Sequence, residues 1–328
     1  MNILAYGEVM LRLNPPLYKT LMQTETLDMY YTGSGLNVMA GMIQNGFNAK
    51  LLTVLPDNNL GKAAAAAVRR LGISSEALIF EGNHLGIYML EMGYANRPSE
   101  VTYLNRTESA FNQHLLSDEQ MAAALKDVDM LHICGIALST SEQSRKNALR
   151  LAEKAASRHI SVCFDFNFRS SLNTDDERAE LLSAYKTVLH HAEIVFGSTR
   201  DLKELLDISG KTADEVAARF MSEYQVSRFA GTIRGQDKQA KTIKGFLYEN
   251  GTQFMSAERQ VHILDRIGTG DAFAAGILTG LLEQWDGQQT VDYATACGEL
   301  AHTTLGDSPV LSREFVLDYM ASPTDVKR

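Results

Sequence analysis

The feature that most restricts this chain is an alternation. Short, nearly uninterrupted apolar runs take turns with helical patterns. The runs are Ile3–Tyr6, Leu51–Leu55, Met130–Ile133, Ile160–Phe164, Ile194–Phe196 and Arg228–Ile233. Between them lie amphipathic or alanine-rich stretches such as Leu60–Leu71, Ser141–Ser157 and Thr212–Tyr224. A strand that is apolar on both faces must be covered on both, so helices have to flank a parallel sheet. The expected fold is α/β: a doubly wound, mostly parallel sheet with helices on both faces. In such sheets ligands bind beyond the carboxyl ends of the strands, and the first strand runs straight into Gly7-Glu8 there.

Two stretches break the rhythm. Arg12–Tyr31 has no helical period and contains Pro15-Pro16. Ile87–Gly93 and Val101–Asn105 alternate apolar and polar residues around Asn96-Arg97-Pro98, the pattern of a β-hairpin. Inserted segments near 9–35 and 86–108 are therefore expected to form a small sheet beside the main one. It would serve as a lid over a site or as a plain surface or dimer contact. Another hairpin, Thr242–Tyr248 with Gln253–Met255, turns at Glu249-Asn250-Gly251. Without repeats or linkers, residues 1–328 read as one α/β domain.

Charge and motifs narrow the function. A net charge of -9 repels phosphate backbones and argues against a nucleic-acid partner. Cys134, Cys163 and Cys297 are far apart and form no CxxC, so free thiols of a reducing compartment are expected and a zinc ribbon is excluded. The N-terminus lacks the basic and apolar parts of a signal peptide, and no apolar run approaches a membrane span. A cytoplasmic protein with no membrane partner is the expectation. No HExxH or GxSxG occurs, and no GxGxxG opens the first helix. Gly210-Lys211-Thr212 lacks the first glycine of a phosphate loop, because position 205 is Leu. His190-His191 reads as a solvated pair at a helix end.

The sharpest chemical signal runs from Asp265 to Gly276. After Gly270, Phe273, Ile277 and Leu281 fall on one helical face, while Ala272, Ala275, Gly276 and Gly280 keep the helix slim. Gly268 and Gly270 at its mouth let the backbone approach a ligand. The open amides and the helix dipole attract an anion there. Asp271, in the same first turn, sits beside it. This pairing suits phosphoryl transfer: amides stabilise the moving group and Asp271 takes the proton of the attacking hydroxyl. The other reading is an acid that only supports the helix dipole, worth under about 1 kcal/mol.

Gly268-Thr269-Gly270-Asp271-Ala272-Phe273, with Asp265 and Gly276, resembles the C-terminal signature of the ribokinase-like (pfkB) carbohydrate kinases, D-x-x-G-A/T-G-D-x-F-x-x-G. Gly33-Ser34-Gly35-Leu36-Asn37-Val38-Met39-Ala40 is similar to their G-G-x-x-x-N-x-A, with Ser34 at the second glycine. Pro56-Asp57-Asn58-Asn59-Leu60-Gly61 stands at their G-x-D-x-x-G turn. Within the family, Gly86-Ile87-Tyr88, Val101–Ala110, Asp165–Arg169 and Leu305-Gly306-Asp307 resemble the branch that acts on 2-keto-3-deoxygluconate.

The resemblance implies a ribokinase-like fold with a β lid, and a kinase that uses ATP and Mg²⁺ to phosphorylate the terminal hydroxyl of a sugar acid. By resemblance Asp271 is the catalytic base, and Gly268, Thr269 and Gly270 form the anion hole. Gly33, Ser34 and Asn37 hold sugar hydroxyls, and Asp307 holds another. Tyr88 and Tyr103 line the sugar site from the lid. Arg106 and Arg169 meet the substrate carboxylate or the ATP phosphates; Arg suits a carboxylate, and a neutral sugar would not need it. ATP is assigned to Asn167, Arg169, Ser198, Gly268, Gly270, and to Arg234 and Gly235 as a loop following a strand. Ser198-Thr199-Arg200-Asp201 replaces the family's N-x-x-E, which puts Asp201 at a water-bridged Mg²⁺. Help from a monovalent cation is left open, and a homodimer through the lid's open edge is expected. Tyr103 and Arg106, three apart, can meet one ligand only where the strand bulges or ends between them. The alternatives are a kinase for a neutral sugar such as fructose or ribose, and a weakly active sugar or nucleotide sensor on the same fold.

Overall fold

A computed structural model describes residues 1–168, 178–236 and 241–322. Its strands are β1 Asn2–Tyr6, β2 Met10–Asn14, β3 Asp28–Thr32, β4 Asn48–Leu55, β5 Leu78–Phe80, β6 Ile87–Glu91 and β7 Glu100–Leu104. They continue as β8 Met130–Cys134, β9 Ser161–Asp165, β10 Ile194–Phe196, β11 Arg228–Gln236, β12 Lys241–Glu249, β13 Thr252–Met255 and β14 Arg259–Gln260. The main sheet has the order β13-β12-β11-β10-β9-β8-β1-β4-β5, with β14 on β12. All pairs from β11 to β5 are parallel, and β12 pairs antiparallel with β11, β13 and β14.

Both faces of the sheet are dry, as the apolar runs require. Along β1, Leu4 and Tyr6 enter one core with residues of the Glu142–Ser157, Arg178–Leu189 and Ala213–Tyr224 helices. Ile3 and Ala5 enter the other with the Ser34–Gln44, Asn59–Arg70 and Thr269–Leu282 helices. This is the two-residue period of a strand buried on both sides. Local chemistry starts the helices. Asn58 accepts from the amides of Leu60 and Gly61, and Ser141 and Thr212 cap their helices in the same way. The expected thiols are free, with Cys134 and Cys163 buried.

The Thr269–Leu282 helix is seated without side-chain spacers. A Cβ on Gly276 would lie 2.5 Å from Ala294 Cα, and one on Gly41 would lie 2.6 Å from Ala275 Cβ. Close contact on both flanks wedges this helix between the Ser34–Gln44 and Gly287–Ala301 helices.

The two irregular stretches supply a second sheet, β3-β2-β6-β7. The β6–β7 hairpin is antiparallel and β2 pairs parallel with β6. Arg12 on β2 ties this sheet to the body and is wholly buried. Its Nη2 donates to Asp265 at 2.6 Å, its Nη1 to Asp307, and its Nε to Asn14 Oδ1 at 2.9 Å. One expectation fails at β11. Arg234 and Gly235 are not in a loop, because the β12 hairpin partner extends the ladder through Arg234↔Ile243 and Gly235↔Thr242.

Candidate active site

The Thr269–Leu282 helix begins at Gly268, whose φ of 77° suits glycine, and no side chain caps it. Its first helical bond runs from Ala272 N to Gly268 O at 2.9 Å, so the amides ahead of it have no helical partner. Nothing stands within 4 Å of where a Gly270 Cβ would be. The result is an unobstructed set of donors at the positive end of a helix, suited to a phosphoryl group.

Asp271 lies in this first turn and is 7% exposed. Ser34 Oγ donates to its Oδ1 at 2.7 Å and Asn37 Nδ2 to its Oδ2 at 2.8 Å. Ser308 Oγ donates to Asn37 Oδ1 at 3.0 Å, which fixes the amide's orientation. Sequence reading put Ser34 and Asn37 on sugar hydroxyls. In the structure both aim at Asp271, because two helix mouths meet here, and they orient its carboxylate. Gly33 precedes them where a Cβ would strike the Glu8 carbonyl oxygen.

Beneath this pair lies Cys134. Burial first, then the Asp165 carboxylate, pushes its thiol up to about 12. Asn167 Nδ2 reaches its sulfur at 3.2 Å, and Asn167 N donates to Asp165 Oδ1 at 3.1 Å. Asn167 therefore shares a floor with Ser34 and Asp271. Arg169 lies outside the described residues.

The other expected side chains lie on the small sheet and just beyond it. Tyr88 is buried, donates to Asp307 Oδ2 at 3.1 Å, and sits 5.9 Å from the Tyr103 ring. Burial, then Asp307, pushes the Tyr88 hydroxyl well above its ordinary pKa. Asp307, expected on a sugar hydroxyl, is enclosed by Arg12, Thr32 and Tyr88 and joins lid to body. Tyr103 is 42% exposed, with the Arg106 guanidinium 5.3 Å from its ring. Their spacing resolves at the strand's end: β7 stops at Leu104, Asn105 turns with a φ of 45°, and Arg106 opens a one-turn helix. Arg106 Nε donates to Glu8 Oε2 at 2.8 Å. Burial pulls the Arg106 pKa down, but Glu8 together with Tyr103 leaves the guanidinium above its ordinary value.

Toward the far end of the sheet, Arg234 Nη2 donates to Thr269 Oγ1 at 3.1 Å and brings positive charge to the helix mouth. Gly235 sits in the ladder beside Thr242. Ser198 and Asp201 form a capping box on the Thr199–Leu206 helix, where Asp201 Oδ2 accepts from Ser198 N at 2.8 Å and Oγ at 2.7 Å. Half of the Asp201 carboxylate is thus committed to starting a helix. Among the described residues no group of three His, Cys, Asp or Glu is set to hold a metal.

Sequence reading missed Glu8 and Arg12 as working side chains. A signal existed for Arg12: it is the charged residue inside Met10-Leu11-Arg12-Leu13. Ser109 and Asn112, which hold Glu8, offered none.

Comparison with known proteins bears on this geometry. The profile of the pfkB family carbohydrate kinases matches residues 1–313. A proposed 2-keto-3-deoxygluconate kinase of Enterococcus faecalis is 43% identical, with a TM-score of 0.96 over 100% of this chain and 99% of the other. A 2-dehydro-3-deoxygluconokinase of Thermotoga maritima is 30% identical, with a TM-score of 0.91 over 98% of each chain. A 2-dehydro-3-deoxygalactonokinase of Haloferax volcanii is 26% identical over 96% of this chain and 95% of its own length.

Proposed function

This chain belongs to the pfkB family of carbohydrate kinases, and from that premise we propose that it transfers the γ-phosphoryl group of ATP to the terminal hydroxyl of a sugar acid, 2-keto-3-deoxygluconate. The observation that carries the acid reading is Arg106. Held by Glu8 just beyond β7, it offers guanidinium donors suited to a carboxylate, and the Thermotoga maritima and Haloferax volcanii relatives are named for keto-deoxy sugar acids. Arg106 and Arg169 take the substrate carboxylate, with Tyr88 and Tyr103 beside the sugar.

Asp271, held by Ser34 and Asn37, accepts the proton of the terminal hydroxyl. That oxygen bonds to the γ-phosphorus while the bond to ADP breaks. The amides of the Gly268–Asp271 turn take the charge of the transferred group, and Arg234 supports it from the side. Asn167, Ser198 and Gly235 border the nucleotide. Magnesium fits as an ion carried on the phosphates and their water, since such ions need only one or two protein carboxylates. Asp201 is the residue that would hold it through water, by the oxygen its capping box leaves aside.

No helix of the described residues is long and apolar enough to cross a membrane, which supports a cytoplasmic enzyme. The open edge of β7, with Val101, Tyr103 and Leu104 exposed, supports a dimer through the lid. Sedimentation of a monomer at assay concentration would remove that part.

An ADP-release assay with Mg²⁺ tests the whole reading. It compares 2-keto-3-deoxygluconate, 2-keto-3-deoxygalactonate, 5-keto-2-deoxygluconate, fructose and ribose. A higher kcat/KM for a keto-deoxy acid is expected; preference for fructose or ribose overturns the acid assignment.

A further inference from the structure

We propose that Glu8 is the positioning residue for Arg106: it grips the guanidinium through Nε alone and so presents the two terminal nitrogens to an anionic group of the acceptor. The proposal rests on the sugar-acid reading above and extends it to a residue that need not touch the substrate.

Glu8 stands two residues beyond β1, at the carboxyl end of the sheet, and its side chain is 3% exposed. Both oxygens are spoken for. Oε2 accepts from Arg106 Nε at 2.8 Å; Oε1 accepts from Ser109 Oγ at 2.8 Å and from Asn112 Nδ2 at 3.2 Å. Asn112 Nδ2 also donates to the Arg106 carbonyl at 3.0 Å, so the segment carrying Arg106 is tied to the same carboxylate by a second route. Space for this is reserved: a Cβ on Gly86 would lie 2.6 Å from Glu8 Oε1. The backbone of Glu8 is fixed as well, under Gly33 at the mouth of the helix that orients Asp271.

The manner of the contact separates positioning from a structural ion pair. An Arg–carboxylate pair formed for its own sake is commonly bidentate, with two parallel hydrogen bonds. Here one bond is made, and the second carboxylate oxygen goes to Ser109 and Asn112. The Arg106 terminal nitrogens have no hydrogen-bond acceptor among the described residues, although the side chain is only 11% exposed. The Tyr103 ring limits swing on another side. A guanidinium has five donors in a rigid fork, so fixing Nε fixes where the other four point. Glu8 therefore sets the direction of the clamp, and its pull is felt in discrimination of a charged from an uncharged acceptor.

The test measures kcat/KM for 2-keto-3-deoxygluconate and for its uncharged primary amide, in wild type, Glu8→Gln, Arg106→Ala and the double variant. Glu8→Gln is expected to lower the acid-over-amide ratio by about tenfold or more, the scale of a clamp misplaced by a fraction of an ångström to 1 Å. KM for ATP should stay within about twofold, and Glu8→Gln added to Arg106→Ala should change the ratio no further. Equal losses on acid and amide, or additive losses in the double variant, would overturn the proposal. If the wild type itself does not separate acid from amide, the sugar-acid reading falls and takes this one with it. If the wild type does separate them and Glu8→Gln still does, only the Glu8 role fails. Should Glu8→Gln not fold, Ser109→Ala, which loosens Oε1, must shift the ratio the same way by a smaller factor; an unchanged ratio there counts against the proposal.

Discussion

Gly268→Ala isolates the proposed anion hole from all side-chain chemistry. An ideal Cβ on Gly268 would lie 1.8 Å from the Asp307 carbonyl oxygen and 2.7 Å from its carbon. Ordinary contact begins at 3.4 Å, so the two segments must part by about 1.6 Å. Neither side yields freely. Asp307 is held by Arg12, Thr32 and Tyr88, and the helix behind Gly268 has no slack against Ala294. A left-handed φ costs a non-glycine residue about 1–2 kcal/mol. Overpacking adds about 1–3 kcal/mol. The expected loss is about 2–5 kcal/mol, seen as a fall in Tm of roughly 4–10 °C at about 2 °C per kcal/mol for a chain of this size. Shifting the donors by 1 Å or more should also cut kcat by about a hundredfold. Thermal unfolding and the ADP-release assay give both numbers on one preparation. A variant with Tm within about 2 °C of wild type and kcat within about threefold would show that this turn neither binds the phosphoryl group nor carries the contact with Asp307.

Three further outcomes are expected. Asp271→Asn should lower kcat by about 10²–10⁴ while leaving ATP binding nearly intact by calorimetry; near-normal turnover would remove Asp271 as the base. Arg12→Ala leaves two buried carboxylates without their counter-charge and should cost about 3–5 kcal/mol in urea unfolding, with Asp307→Asn recovering part of it; a loss below about 1 kcal/mol would mean the lid is held by other contacts. His132 is buried, its Nε2 has no partner among the described residues, and burial lowers its pKa from 6.5 to about 4. The unfolded chain takes up a proton that the folded one refuses, so stability present above pH 6.5 is lost as pH falls toward 4, by up to about 3 kcal/mol. His132→Leu should flatten that slope in denaturation midpoints; an unchanged slope would place the acid sensitivity elsewhere.

The parts of this molecule legible in its sequence are those governed by near neighbours. The six apolar runs became strands because burial on both faces leaves a local mark. The mouth of the Thr269–Leu282 helix was readable because glycine, glycine and aspartate lie within one turn. Pairings across long separations left no such mark. Arg12 meets Asp265 and Asp307 across 253 and 295 residues, and Glu8 meets Arg106 across 98. Arg234 and Gly235 read by resemblance as a loop following a strand, yet a hairpin partner carries the ladder through them. Ser34 and Asn37 stand out in the sequence as candidate site residues, but their contact with Asp271 is set by the meeting of two helices and not by either one.

The construction of β7 has a consequence for how such an enzyme changes over generations. Every residue from Glu100 to Leu104 is exposed, so the strand contributes little to the dry cores that hold the fold. Surface substitutions of this kind usually alter stability by less than about 0.5 kcal/mol. Yet β7 carries Tyr103 and delivers the chain to Arg106. Of the residues proposed to meet the acceptor, Tyr103 therefore sits on tolerant ground, while Tyr88 and Arg106 are enclosed and Asp271 is held where two helices meet. On the function proposed above, lineages can vary the acceptor contact at Tyr103 along this edge while the helix mouth at Asp271 is inherited unchanged.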